Sequence, residues 1–391
     1  MRSERAIIGL VGAVQFVNIV DFMMVMPLGP DFAVALGVDV DQIGVVGGAY
    51  TLAAGVMGLL ASPWLDRLDR RKALAICMAG LAVGTALGGF AQGLPSLVAA
   101  RLLAGAFGGP ATSVALAIVA DVIPNERRGR AMAAIMTAFS IASVAGVPAG
   151  LVLSELWGWR APFFVLASGG AMITALSVWL LPPMLGHLNA SVERPSLLAL
   201  TRLPAARAGL LATALATGSA FVLIPNLSAF IQFNLGYPRT DLPQLYVLGG
   251  VSTLIALRVF GRFADASGPV PLSLAGTVAF GAIGLAWFTT AAPPLPIWVL
   301  FPSMMLALSA RNVAHQSVLS QVAPPALRAA FQSLNSSVQH VAASIAAVTA
   351  TAVLSTAADG RLVGIPTVAF AALTLAAGVP PLLAIAARKS S

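Results

Sequence analysis

Apolar residues run along this chain in twelve long stretches, each closed by a short charged or turn-forming connector. The first six lie near Ala6–Leu28, Ile43–Pro63, Ala73–Gln92, Ser96–Ile123, Ala131–Ser154 and Pro162–Pro182. The second six lie near Ala208–Asn234, Leu242–Gly261, Val270–Thr290, Pro296–Ser320, Ala330–Leu354 and Ile365–Ala387. A helix of about twenty apolar residues is long enough to cross the hydrocarbon of a bilayer. In lipid an unpaired backbone N–H or C=O has no water to turn to, so helices or closed barrels are what can span it. The pattern predicts an all-α membrane protein with twelve transmembrane helices. Ala6–Leu28 exceeds a signal-peptide apolar region and no A-x-A site follows it, so it reads as the first helix.

Composition agrees with lipid as the solvent. Hydrophobic residues make up 58% of the chain and charged residues 9%, with a mean hydropathy of +0.91; a soluble core does not need so little charge. With the N-terminus placed in the cytoplasm, 17 of the 22 Lys and Arg fall on cytoplasmic connectors. Only Arg160, Arg239 and Arg361 fall on the other side, while Arg101 and Arg311 lie inside helices. The positive-inside rule then puts both termini in the cytoplasm of an inner (plasma) membrane protein. The net charge of +8 is spread over loops that face anionic headgroups. No basic face with interleaved aromatics is present, so nucleic acid is not an expected partner.

Enzyme motifs are missing. The chain has no H-E-x-x-H, no G-x-S-x-G with acid and His, and no phosphate-cradling G-x-x-x-x-G-K-[ST]. An enzyme and an ATP-driven pump are both excluded on this chain, and no cofactor or metal site is expected. Met23, Met24 and Met26 cluster near Asp21. Thioethers take Cu(I) or varied apolar ligands, but three Met on one turn diverge and no Cys or His stands beside them. Packing or contact with a greasy ligand is the better reading.

The longest polar connector divides the chain into 1–183, a cytoplasmic linker over 184–207, and 208–391. The linker carries His187, Asn189, Glu193 and Arg194. The halves resemble one another. Ala120-Asp121-Val122-Ile123-Pro124 with Arg128 recurs 200 residues on as Ser320-Gln321-Val322-Ala323-Pro324 with Arg328. Leu65-Asp66 likewise corresponds to Ala264-Asp265. Two pseudo-symmetric six-helix bundles are implied, the arrangement in which transporters hold substrate near the bilayer midplane.

Four motifs carry a resemblance to the major facilitator superfamily, in its twelve-helix drug:proton antiporter and sugar-efflux branch. Asp66-Arg67-Leu68-Asp69-Arg70-Arg71-Lys72 resembles the family's G-x-x-x-D-R-x-G-R-R loop, with Ser62 and Asp69 where glycines are usual. Arg101-Leu102-Leu103-Ala104-Gly105 resembles R-x-x-x-G in helix 4, whose Arg is tied to proton coupling. Gly146-Val147-Pro148-Ala149-Gly150 resembles the antiporter signature of helix 5, with Ala142 replacing an upstream Gly. Asp21-Phe22-Met23 with Pro27 stands where efflux relatives have Glu-Phe-Met. The resemblance implies a conformational latch of Asp66, Arg70 and Asp121, with Asp265 as its repeat copy; simple positive-inside anchoring is the other reading of those charges. It also implies that Gly146, Pro148 and Gly150 serve close packing of helix 5, against helix 8.

Ionisable groups inside the bilayer are costly, about 2.5–3.5 kcal/mol each, and are functional candidates by default. Asp21 and Arg101 lie about 10 and 8 Å from the same membrane face at a rise of about 1.5 Å per residue. Their pairing is geometrically open, either as a proton-coupling centre or as a structural ion pair between helices 1 and 4. Arg311 and His315, four apart on one helix face, together with His340, Gln339, Asn226, Asn18 and Met24, are the candidates for the substrate cavity. The expected protein is a monomeric proton-coupled antiporter that exports small organic molecules by alternating access of its two bundles. Import of a metabolite, proton-coupled or facilitative, is the alternative.

Overall fold

The computed structural model describes residues 4–65, 67–185, 200, 202–290, 293–324 and 327–388. Among them, twelve helical spans are long and apolar enough to cross a bilayer. They are α1 (Glu4–Met24), α2 (Val40–Leu60), α3 (Arg70–Gly89), α4 (Leu94–Val122), α5 (Gly129–Trp157) and α6 (Ala161–Leu180). The second set is α7 (Pro204–Asn234), α8 (Arg239–Ser267), α9 (Pro269–Phe288), α10 (Ile297–Val322), α11 (Ala330–Val353) and α12 (Ile365–Ala387). Large apolar side chains stay exposed along these helices, among them Leu60, Met172 and Trp179 in the first six and Val278, Ile345 and Phe370 in the second. Water would penalise such a surface; hydrocarbon does not.

The chain divides into two compact units, Met1–Glu193 and Arg194–Ser391, which hold α1–α6 and α7–α12. The linker residues His187, Asn189, Glu193 and Arg194 lie outside the described residues. The first helix of the second unit starts at Pro204 rather than near Ala208. Proline suits a helix's first turn because its missing N–H would be unpaired there anyway.

Within the first unit, small residues set the helix spacing. Gly105 and Gly109 of α4 face Tyr50 and Ala54 of α2, a matched pair of four-residue steps. A Cβ at Gly105 would overlap the Tyr50 carbonyl oxygen, and one at Gly109 would sit 2.5 Å from the Ala54 oxygen. Backbones approach this closely in membranes because dispersion and packing, not water exclusion, hold helices together there.

Three helices depart from a regular ladder next to a proline: α5, α7, and α12, which is interrupted at Gly378 just before Pro380. In α5 the turn Ala142–Gly146 is π-helical, and Val147 N–H bonds the Ala142 carbonyl five residues back. Pro148 has no N–H to continue the ladder and its ring crowds the carbonyl four residues before it, so one wide turn carries the chain past. Gly146 then lies directly against Val20 and Phe16 of α1, and Gly150 lies beside Met24. Within its own unit, the partner of this motif is α1. In α7 the regular helix ends at Phe221 and resumes at Ile224, just before Pro225.

Between α11 and α12 a short antiparallel ladder pairs Ser355 with Val363 and Thr356 with Leu362. The Asn234 amide at the end of α7 brackets it. Asn234 Nδ2 donates to the Leu362 carbonyl at 2.8 Å, and Leu362 N–H donates to Asn234 Oδ1 at 3.0 Å.

Candidate functional site

Asp21 stands in the last turn of α1, where backbone carbonyls run out of intrahelical donors. Arg101 of α4 reaches it from the side. Its Nη1 donates to Oδ1 at 3.1 Å and to Oδ2 at 3.0 Å, and its Nη2 donates to the Asp21 carbonyl at 3.1 Å. One guanidinium therefore neutralises the carboxylate and caps the negative end of α1, the end where a cation is favoured and an acid is not. The hydroxyl of Thr85 on α3 lies 2.7 Å from Asp21 Oδ1. Asp21 is 0% exposed, Arg101 1% and Thr85 2%, so the centre is sealed. Among the described residues Asp21 is the most buried carboxylate.

A second polar layer backs this pair. The guanidinium carbon of Arg101 sits 4.6 Å from the centroid of the Tyr50 ring, a cation–π contact strengthened by the absence of water. Tyr50 OH donates to Asn18 Oδ1 at 2.5 Å, and Asn18 Nδ2 donates to the Gly108 carbonyl at 2.6 Å and to Thr112 Oγ1 at 2.9 Å. Residues of α1, α2, α3 and α4 thus meet in one buried chain. Asn18, expected in the substrate cavity, has both ends of its amide engaged here. Met24, expected there too, is buried beside Gly150.

Thr85 and Tyr50 are the residues that sequence reading passed over. Hydroxyls are common in helices and a lone Thr gives no periodic signal. Tyr50 is one of only three tyrosines, which is the one cue the sequence offers.

In the second unit the candidates separate. Arg311 of α10 is 4% exposed and His315 6%. Arg311 Nη2 donates to Ser219 Oγ of α7 at 2.7 Å, and its guanidinium carbon lies 4.6 Å from the Phe280 ring of α9. One turn along, His315 Nε2 is 2.9 Å from Thr213 Oγ1, whose hydroxyl also meets Asn335 Oδ1 at 2.5 Å. If the Thr213 hydrogen goes to Asn335, the His315 proton is on Nε2. Asn226 is 1% exposed and neither atom of its amide has a partner among the described residues. His340 is half-buried and Gln339 exposed on α11, and neither is brought to Arg311 by a bond among the described residues.

At the cytoplasmic end expected for α3 and α4, Arg70 Nε bonds Asp121 Oδ2 at 3.3 Å, joining the two helices. Asp66 lies outside the described residues. Asp265 is exposed near the end of α8. Asp69, standing where a glycine is usual, is the N-cap of α3. Its Oδ1 accepts from Arg71 N–H at 3.0 Å and from Met184 N–H at 2.8 Å. Its φ of −51° is open to any residue, so no glycine is required there.

Comparisons with known proteins agree with this architecture. The family model described as Major Facilitator Superfamily matches residues 11–347. The chain is 29% identical over 269 residues to the chloramphenicol resistance protein of Streptomyces lividans, covering 65% of each chain. It is 29% identical over 243 residues to the inner membrane transport protein YdhP of Escherichia coli K12, covering 62% of each. These alignments span somewhat under two thirds of the relatives' lengths. Among solved structures, a D-xylose–proton symporter superposes with a TM-score of 0.74 at 16% identity, over 97% of this chain and 96% of that one; such a likeness speaks for the fold alone. A multi-pass membrane chain with twelve such helices in this order and this match belongs to the Major Facilitator Superfamily.

Proposed function

We propose that the protein is a proton-coupled antiporter that exports small organic molecules across the inner membrane, with both termini cytoplasmic. The observation that carries this reading is the buried Asp21–Arg101 pair, held by Thr85 and backed by Tyr50. Protonating Asp21 turns an ion pair into a neutral carboxyl beside an uncompensated guanidinium. Leaving one partner of a buried pair alone costs about 3–5 kcal/mol, enough to bias a conformational equilibrium more than a hundredfold. The same event loosens the cap on α1, so proton binding and helix movement are one step.

The cycle runs in the direction of an inward proton gradient. A proton reaches Asp21 from the outside while substrate leaves to that side; the bundles rock, the proton leaves to the cytoplasm, and Arg101 recaptures the carboxylate. The Arg70–Asp121 pair opens and closes with that movement as a latch. Outward transport is supported by the resistance phenotype in the name of the Streptomyces lividans relative, and membrane assignment by the name of the Escherichia coli one.

The test is Asp21→Asn in proteoliposomes loaded with fluorescent substrate. A pH gradient drives transport by the parent protein, whereas the variant is expected to retain substrate exchange and lose the response to the gradient. Gradient-driven transport at the parent rate by the variant removes Asp21 from coupling.

A further inference from the structure

Arg311 is a buried cation that the second unit does not neutralise. Residues 194–391 contain three acidic side chains, Asp241, Asp265 and Asp359. The first lies in the opening turn of α8, the second near its end, and the third pairs with Arg361 at 2.6 Å in the loop before α12. Among the described residues no carboxylate accepts from Arg311. Its position is central: 14 residues from Ile297 and 11 from Val322, or about 21 and 16 Å at the helical rise. A lone charge at that depth costs about 2.5–3.5 kcal/mol, which makes its retention a functional statement.

The surroundings hold the group but leave its Nε without an acceptor among the described residues. A Cβ at Gly276 would approach Arg311 Cγ to 3.0 Å, so α9 packs tightly on the aliphatic stem. Phe280, one turn farther on α9, covers one face of the guanidinium. Ser219 accepts one of its five N–H groups and hands its own hydrogen to the Ala216 carbonyl at 2.8 Å. Arg311 Nε has no acceptor among the described residues, and His315 Nδ1, on the same face of α10, has no hydrogen-bond partner among them. Unsatisfied buried polar atoms are rare in folded proteins. Here one belongs to the buried cation itself and the other lies one turn away on its helix face.

We infer that Arg311 is the anion-recognition centre of the C-terminal unit and takes the carboxylate of a small amphipathic monoanion; this rests on the exporter reading and names its substrate class. The guanidinium edge presents paired donors at the spacing of a planar carboxylate. One cation balances one negative charge. The Phe280 ring beside the guanidinium gives an apolar surface that suits a hydrocarbon remainder. His315 lies one turn away, within reach of a ligand larger than a simple ion.

Equilibrium binding to purified protein in nanodiscs tests this without any gradient. The probes are benzoate and 3-phenylpropanoate, their primary amides, and chloride. The carboxylates are expected to bind at least about tenfold tighter than the amides, the scale of a lost hydrogen bond to a charged group. Arg311→Gln should erase that preference, Arg311→Lys should weaken it, and Ser219→Ala should keep it. Equal affinity for acid and amide in the parent protein overturns the inference, as does an unchanged preference in both Arg311 variants. If Arg311→Gln fails to fold, Arg311→Lys decides: an unchanged preference in it overturns the inference. Chloride displacing the carboxylates at equal concentration overturns the assignment to an organic acid. The binding assay uses no gradient and the Asp21→Asn flux assay reads only the response to one, so failure of anion recognition and failure of proton coupling give different results.

Discussion

The guanidinium of Arg101 divides its donors between the carboxylate oxygens of Asp21, at 3.1 and 3.0 Å, and the Asp21 backbone carbonyl at 3.1 Å. Its flat face rests on Tyr50 at the same time. An ammonium is a point charge on a flexible stem and offers neither the fork nor the face. Arg101→Lys keeps the charge yet should lower stability by about 1–3 kcal/mol through the lost bond and stacking. It should also cut gradient-driven transport at least about tenfold. Thermal unfolding in detergent and vesicle flux check the two effects separately; parent-like values in both would mean that charge alone suffices. Asp21 and Arg101 are legible in the sequence because an ionisable residue interrupts an apolar run. Thr85, Tyr50 and the use of Asn18 are not. The helices are rich in small residues and only weakly amphipathic, so the pattern does not say which face turns inward. Arg311 is equally visible in the sequence, but its want of a partner is seen only once Ser219 and Phe280 are found around it.

At the scale of elements, all twelve spans are readable from hydropathy, since lipid leaves the backbone few alternatives to a helix. What hydropathy does not carry is departure from the regular ladder. Membrane helices tolerate proline when neighbouring groups satisfy the freed backbone. Pro148 and Pro225 therefore sit inside apolar runs without announcing the π turn over Ala142–Gly146 or the break after Phe221. Asp69 is a similar case: its place in a family loop says glycine, while its capping of α3 and of Met184 says why an acid serves there. The π turn also sets the contact of α5 with α1 by aiming Gly146 at Val20 and Phe16. Gly146→Leu places four side-chain carbons into space that Val20 already occupies. Overpacking of this kind costs about 1–3 kcal/mol. The expected result is a lower unfolding midpoint in detergent and slower transport, because α1 carries Asp21. Gly150→Ala should be tolerated, since a Cβ there meets Met24 Cβ at an ordinary 3.6 Å. Equal midpoints for Gly146→Leu and the parent would show that α1 and α5 do not pack through this glycine.

At the scale of the whole molecule, the exchange proposed here depends on which connectors face the cytoplasm, and the distribution of Lys and Arg predicts that orientation. Seventeen lie on one set of connectors and three on the other. Short loops with excess positive charge stay inside because anionic lipid and the membrane potential both hold them there. Cysteine labelling reads this directly. The chain has a single cysteine, Cys77, which is buried, so a Cys77→Ala background gives a silent parent. In it, Thr240→Cys sits exposed in the opening turn of α8 and Arg130→Cys sits exposed near the start of α5. A membrane-impermeant maleimide added to intact cells should modify the first and spare the second until the membrane is permeabilised. That outcome orients Asp21 toward the outer face, where an inward proton gradient delivers its protons, as the proposed exchange requires. The opposite labelling pattern would set Asp21 toward the cytoplasm, and the same chemistry would then run against the exchange proposed here.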